Sequence, residues 1–399
     1  GSSLNLLGHH FDAMDSCNRA LSINPDYAEA YNIIGNIYKD QGKPNNAIRS
    51  YKKAITLKSN YAEAHSNLGS IHRDRKQLEK ALLYFEKAHS LKPDMSFILG
   101  DILQIKMRLC KWDNLSNQLI ELRSRITNNE KVVSPFSLLG LIDDPKLQKK
   151  ASEIYANYYY PKSDNLPNIS VYQNHKKIRI GYFSADFKKH PVSTLTAELY
   201  EMHDRKHFEV HAFSFGNDTN DEMNLRIKSG VDYFHDVKKT SLKDLVLLSR
   251  SCEIDIAIDL GGFTKKARTE VFAMSVAPIQ LSYIGYLGTL GANYYDYLIA
   301  DQIMIPKDYQ KYFLEKIIYL PSFQVNDSKE KQPDIVLTRA EIGLPKDSFV
   351  FCCFNNTYKI TPAVLDLWTP ILKSVTDSVL LLVADNEIAK SNLIKEFNQ

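Results

Sequence analysis

A 34-residue period runs through the first part of the chain, and it constrains the fold more than any other feature of the sequence. Pro25, Ser59 and Pro93 stand 34 residues apart, as do Tyr27 and Tyr61, Ala28 and Ala62, and Gly35 and Gly69. The second half of each unit keeps the same register: Ala13, Ala47 and Ala81; Tyr51 and Phe85; Ala20, Ala54 and Ala88. Small residues let two helices approach closely, and Tyr or Phe fills the gap to the next pair. One such pair cannot bury its apolar face alone, so the units must stack.

Period and residue types together are those of tetratricopeptide helix pairs, assigned to residues 1–94. The first unit enters at its second helix, near Phe11, so the natural protein is expected to continue upstream. Gly1-Ser2-Ser3 has no charged start followed by an apolar run; it reads as an expression scar or clipped start, not a secretory leader. Beyond Pro93 the pattern weakens. Phe97 to Leu109 and Asp113 to Ile126 read as two amphipathic helices with Trp112 packed at their junction, a degenerate repeat that closes the stack. Asn128 to Pro135 reads as a linker, Leu147 to Tyr159 as a further helix and Pro161 to Gln173 as a loop, so residues 95–175 form a cap and linker. Stacks of this kind bind extended peptides or proteins on a concave face and carry no chemistry themselves.

From Ile178 the texture changes. Apolar runs of strand length occur at Ile178 to Ser184, Phe208 to Phe215, Tyr233 to Val237, Ile254 to Leu260, Ile279 to Ile284, Tyr297 to Asp301 and Lys316 to Leu320. Helical stretches separate most of them: Ser193 to Met202, Asp221 to Ser229, Leu242 to Arg250 and Ala267 to Ser275. Strand–helix alternation predicts a parallel, doubly wound sheet over residues 176–335, with ligands bound outside the carboxyl ends of its strands. A second sheet begins near Ser348, with a strand at Phe349 to Asn355 and a loop at Asn356 to Ile360. A helix then opens at Thr361-Pro362, and a strand at Val379 to Val383 and a helix near Ala389 follow. Residues 336–399 thus read as the start of a second, incomplete lobe. The fold class is an α-solenoid joined to Rossmann-like α/β lobes.

The loops after the strands hold the candidate chemistry. They are Ala185 to Pro191, Gly261 to Arg268, and Gly285 to Gly291, the last a G-x-x-G-x-x-G run that matches neither a Walker loop nor the dinucleotide fingerprint. Paired glycines allow close backbone approach, or are simply turns. Thr361 as N-cap with Pro362 behind it starts a helix whose amides favour an anion, and Lys359 adds a full charge just before it. A diphosphate suits that pairing; an ordinary exposed lysine is the alternative.

Bulk properties limit the field. The 399 residues exceed one core and imply two or three domains. A net charge of +3 supplies no general field for nucleic acid or a membrane surface, and no apolar run approaches the 18 or so residues of a membrane span. The five cysteines contain no C-x-x-C pair, which points to free thiols in a reducing cytosol and a cytoplasmic location.

Four segments in this order resemble the O-GlcNAc transferases, the bacterial members most nearly: Ser184-Ala185-Asp186-Phe187 through His190-Pro191-Val192, Ala277-Pro278-Ile279-Gln280, Gly285-Tyr286-x-Gly288-Thr289-x-Gly291, and Phe354 to Ile360. Asp143-Asp144-Pro145 ahead of them looks alike too. The resemblance implies two Rossmann-like lobes facing across a cleft, of the GT-B type. It implies inverting, metal-independent transfer of N-acetylglucosamine from UDP-GlcNAc to Ser or Thr of proteins, with no cofactor beyond the donor. By motif match, Lys359 would stabilise the departing diphosphate and His190 would line the sugar site, in a positioning role rather than as the contested base. Asn356, where relatives carry Gln, would sit beside the donor, with Tyr358, Thr361, Thr264 and Gly285 also on the donor side. Asn67 stands where the family places an asparagine ladder for the acceptor backbone, although Ile33 interrupts it one repeat earlier; a solvated helix Asn is the alternative. Leu287 replaces a common Pro, and Phe263 replaces a His or Tyr. The uridine contacts of the family would lie beyond the last residue, so these residues alone are expected to be inactive. Two other readings stay open: an interaction scaffold with a decayed catalytic module, or a transferase using GDP-fucose or UDP-glucose.

Overall fold

Tyr51 and Phe85 show why the repeat works. A computed structural model describes residues 10–172, 175–330 and 334–398. Gly1-Ser2-Ser3 and the end of the predicted loop at Gln173 lie outside the described residues. The repeats form α1 (His10–Ile23), α2 (Ala28–Asp40), α3 (Pro44–Leu57), α4 (Ala62–Asp74) and α5 (Leu78–Leu91). A Cβ on Gly35 would meet the Tyr51 ring at 2.4 Å, and one on Gly69 would meet the Phe85 ring at 2.7 Å. Each ring therefore lies flat against the glycine of its own pair. It also faces the next pair: Tyr51 shares a core with Leu68 and Ile71, and Phe85 with Ile98, Ile102 and Ile105.

The stack closes with α6 (Ile98–Arg108), followed by α7 (Leu115–Thr127). Phe97 is left-handed at φ 65°, and the segment Glu130–Val133 runs over the start of α6. The Lys131 carbonyl accepts from Phe97 N at 2.6 Å and the Val132 carbonyl from Gly100 N at 2.8 Å, so backbone takes the place of a side-chain cap. The short α8 (Pro135–Leu138) and α9 (Pro145–Tyr159) follow. Asp144 accepts from Lys146 N and Leu147 N ahead of Pro145, which explains the Asp-Pro start of α9.

The seven-stranded sheet has the order β3-β2-β1-β4-β5-β6-β7 and is parallel throughout. Its strands are β1 (Ile178–Ser184), β2 (Phe208–Ser214), β3 (Tyr233–Asp236), β4 (Ile256–Asp259), β5 (Ile279–Ser282), β6 (Tyr297–Ala300) and β7 (Lys316–Tyr319). Helices α12 (Glu222–Gly230) and α13 (Leu242–Ser251) take Asp221 and Ser241 as N-caps.

Two helices depart from the sequence expectation. Ser193 to Met202 is not one helix but α10 (Pro191–Thr194) and α11 (Ala197–Met202). Thr194 and Thr196 turn their hydroxyls back onto the carbonyls of His190 and Val192, and this back-bonding opens the helix between them. Ala267 to Ser275 shrinks to α14 (Glu270–Ala273), because Lys266 is left-handed, Arg268 reaches the carbonyls of Val237 and Thr240, and Thr269 bonds Gly262 O.

The last elements are β8 (Phe349–Cys353), a 3₁₀ turn at Thr357–Lys359, α15 (Pro362–Ser374), β9 (Ser378–Leu382) paired parallel to β8, and α16 (Glu387–Phe397). They do not cluster with the seven-stranded sheet. The described residues up to Arg125, with Glu130–Val133 and those from Leu337 onward, form one compact unit; Ile126–Asn129 and Ser134–Val336 form the other. Trp112 accordingly packs with Cys110, Ile360, Leu365 and Trp368, against the carboxyl-terminal segment rather than only at a helix junction. All five cysteines are free thiols. Among the described residues no helix is long and apolar enough to cross a membrane.

Candidate active site

Strand order reverses between β1 and β4, so the loops leaving those two strands part and open a crevice at the carboxyl edge of the sheet. His190, Thr264 and Gly285 all lie on loops at this edge.

The loop after β1 is built around Asp186. Ser184 Oγ accepts from Asp186 N at 3.0 Å, and Ser193 Oγ donates to the Asp186 carbonyl. His190 caps α10, its Nδ1 accepting from Val192 N at 3.3 Å. The Asp186 carboxylate lies 3.8 Å from the same Nδ1, beyond hydrogen-bond reach. An Nδ1 that accepts from an amide carries no proton, and the tautomer that fits this contact has its N–H at Nε2. In this arrangement the half-exposed imidazole offers a donor to a ligand, not a base.

The loop after β4 depends on Asp259, a residue the apolar strand pattern hid. It is 2% exposed. Its Oδ1 accepts from Gly261 N at 2.8 Å and Gly262 N at 3.0 Å, and its Oδ2 from the Tyr295 hydroxyl at 2.6 Å. Burial pushes this carboxyl up, while the hydroxyl and the two amides pull it back. Thr264 donates to Gly261 O at 2.8 Å, so its hydroxyl proton serves the turn and only its oxygen can accept. A Cβ on Gly285 would meet Leu260 O at 1.9 Å, and one on Gly262, at φ 54°, would meet Tyr286 Cβ at 2.7 Å. The glycines are needed because the loops after β4 and β5 touch. Phe263 sits edge-on to Tyr155, stacks on Tyr160 and tilts against Tyr286. Three aromatic rings therefore box in a side chain that has no polar tip.

The remaining predicted residues belong to the other unit. Asn356 precedes the 3₁₀ turn, and the exposed Lys359 ends it, donating from Nζ to Asn355 Oδ1 at 3.3 Å. Tyr358 is half-buried, and its hydroxyl is pushed up by burial. Thr361 caps α15 through Val364 N at 3.3 Å. Here the helix start is poorer in amides than expected. Pro362 brings no N–H, and Val364 and Leu365 already donate to Thr361, so only the amide of Ala363, the helix dipole and the Lys359 ammonium are left to attract an anion.

The turn is fixed from beneath. Buried Thr357 donates to Arg108 O at 2.9 Å, Asn386 Nδ2 donates to the same carbonyl at 3.2 Å, and Asn392 Nδ2 donates to Leu109 O at 2.7 Å. Carbonyls left over at the end of α6 are thus satisfied by side chains far along the chain. Nothing in the local sequence signalled this role of Thr357. In the repeats, Asn67 donates to Asn32 Oδ1 at 2.9 Å. The pairing skips Ile33 and uses the residue before it.

Stacked helical repeats, together with a parallel sheet that opens glycine-rich loops at its switch point, define a repeat protein carrying Rossmann-like lobes. The tetratricopeptide repeat pattern matches residues 35–72 and 62–95. The glycosyl transferase family 41 pattern matches residues 155–333 and 324–399, most of the chain, and the protein belongs to that family. It is 36% identical over 296 residues to the probable UDP-N-acetylglucosamine–peptide N-acetylglucosaminyltransferase SEC of Arabidopsis thaliana, covering 69% of this chain and 30% of that protein. It is 32% identical over 232 residues to the UDP-N-acetylglucosamine–peptide N-acetylglucosaminyltransferase of Caenorhabditis elegans, covering 56% of this chain and 19% of that one. The chain thus spans less than a third of these relatives' length. Among solved structures, a mutant of the Thermobaculum terrenum O-GlcNAc transferase shares the fold, with a TM-score of 0.62 and 24% identity over 100% of this chain and 70% of that one.

Proposed function

We propose that the protein transfers N-acetylglucosamine from UDP-GlcNAc to Ser or Thr hydroxyls of proteins, with inversion, without a metal ion, and within a reducing cytoplasm. The observation that carries this reading is that one family pattern spans both the His190 loop and the Lys359 turn. The names of the relatives supply the donor and the peptide acceptor.

In the proposed reaction the acceptor hydroxyl oxygen attacks the anomeric carbon as the bond to the diphosphate breaks, and the hydroxyl proton passes to solvent. Negative charge grows on the leaving oxygen, and the Lys359 ammonium, held on a rigid turn, stabilises it. His190 donates through Nε2 to the sugar or phosphate and orients the donor. Asn356, Tyr358 and Thr361 flank the diphosphate, and Thr264 and Gly285 line the sugar side. The repeats hold the acceptor, with Asn67 bonding its backbone.

The test is radiolabelled transfer by the full-length protein. Lys359→Met should lower kcat at least ~100-fold, the usual loss when one transition-state charge contact goes. The His190→Gln variant should act mainly on donor KM. Undiminished turnover by Lys359→Met would overturn the mechanism, and transfer from GDP-fucose or UDP-glucose in preference to UDP-GlcNAc would overturn the donor.

A further inference from the structure

Three ligating side chains converge on the outer strands of the large sheet. His211 on β2, His235 on β3 and Cys252, which follows α13, each present one ligand atom, and the three atoms lie within 4.8 Å of one another. His211 is only 4% exposed; the other two are half-buried. Register brings the imidazoles together: His211 pairs with Tyr233, and His235 with Phe213, so the two rings are diagonal neighbours on one face. They stack with centroids 5.4 Å apart, between the Tyr233 and Phe213 rings, each 4.6 Å from its neighbouring imidazole.

The nitrogens are oriented by a carboxylate. His211 Nε2 lies 3.0 Å from Glu209 Oε1, and His211 Nδ1 lies 3.1 Å from His235 Nε2. With its Nε2–H given to Glu209, His211 keeps the lone pair of Nδ1 for the side on which His235 stands. A carboxylate behind a ligating imidazole is the usual support of a zinc ligand. The other charges nearby are already matched. Arg179 Nε lies 3.2 Å from Glu209, its Nη1 lies 2.7 Å from Glu253, and His175 is held between Glu253 and Asp255.

We propose that His211, His235 and Cys252 form a structural binding site for zinc(II). Two imidazole nitrogens and a thiolate suit zinc, whereas magnesium and calcium require oxygen ligands. Zinc bonds of about 2.0–2.3 Å place neighbouring ligands roughly 3.3–3.8 Å apart, so side-chain rotation of about 1 Å closes the site. Binding forms one Zn–S and two Zn–N bonds, and a water molecule takes the fourth tetrahedral position. The Cys252 thiol proton leaves to solvent, and the His235 proton moves from Nε2 to Nδ1. Cys252 stands ahead of the amino end of β4, at the opposite end of that strand from the candidate active-site loops. The ion therefore clips β3, the four-residue edge strand, to the end of α13 and takes no part in transfer.

Cobalt(II) titration of the metal-stripped, unmodified chain tests the thiolate directly. Expected are a near-ultraviolet thiolate-to-cobalt band and tetrahedral visible bands saturating at one equivalent, both displaced by zinc, with zinc raising the melting temperature by several degrees. Cys252→Ser and His235→Asn should each weaken zinc binding by more than the roughly 10–100-fold expected for losing the supporting Glu209, while the exposed Cys352→Ser should leave it unchanged. Absence of the thiolate band, equal zinc retention by a Cys252→Ser/His235→Asn double variant, or uptake of copper but not zinc would each overturn the assignment.

Discussion

Asp259 holds three donors with one buried side chain, and the glycine loop has its shape because of it. Asp259→Ala leaves two amides and a tyrosine hydroxyl without an acceptor, which should destabilise the protein by about 3–5 kcal/mol in urea denaturation. Asp259→Asn should cost less, about 1–2 kcal/mol, because Tyr295 can reverse its hydroxyl and accept. Equal losses for the two variants would refute the account. At this scale the sequence was readable in part. His190, Thr264 and Gly285 fall at one sheet edge because residues after parallel strands must do so. Asp259 escaped notice because strand β4 is apolar on both faces; the available signal was a lone carboxylate just ahead of paired glycines. The proton position on His190 was not legible at all, since it depends on one amide two residues away.

Helices α11 and α12 are tied to the segment after β7 by one cluster of charges. Arg226 bonds Glu201 at 2.9 and 3.0 Å and also Asp327, while Lys329 reaches Glu201 at 2.6 Å. The hydrogen bond from Arg226, foremost, holds the Glu201 carboxyl down to about 2. In the unfolded chain this group takes up its proton near pH 4.5, so between that pH and 2 the unfolded state binds more protons. The contribution is complete above pH 4.5 and is lost as pH falls through 2. Solvent screening of a partly exposed pair limits it to about 1–2 kcal/mol. Arg226→Gln should remove this stability at pH 7 and flatten the acid limb of the stability curve; an unchanged limb would exclude the linkage. Element type followed well from pattern, since all nine strands among the described residues sit where short apolar runs stand. The broken helix at Leu195 and Thr196 did not, because threonine back-bonding and tertiary burial override helical period there.

The whole chain divides where its sequence does not. Composition changes at Ile178, yet the segment from Leu337 clusters with the repeats and not with the sheet that precedes it. No local pattern announces a partner about 250 positions away, so this grouping had to come from the structure. Thr357→Val removes one of two donors to the Arg108 carbonyl and should cost about 1–2 kcal/mol. Hydrogen exchange should quicken at residues 355–365 and stay unchanged across the seven-stranded sheet; an equal rise in both would count against it. Fastening the Lys359 turn to the terminal carbonyls of α6 makes the last turn of a solenoid the bedrock of that turn. A shift of that final helix would therefore be passed straight to the backbone that carries the ammonium group, with no loop between them to absorb it.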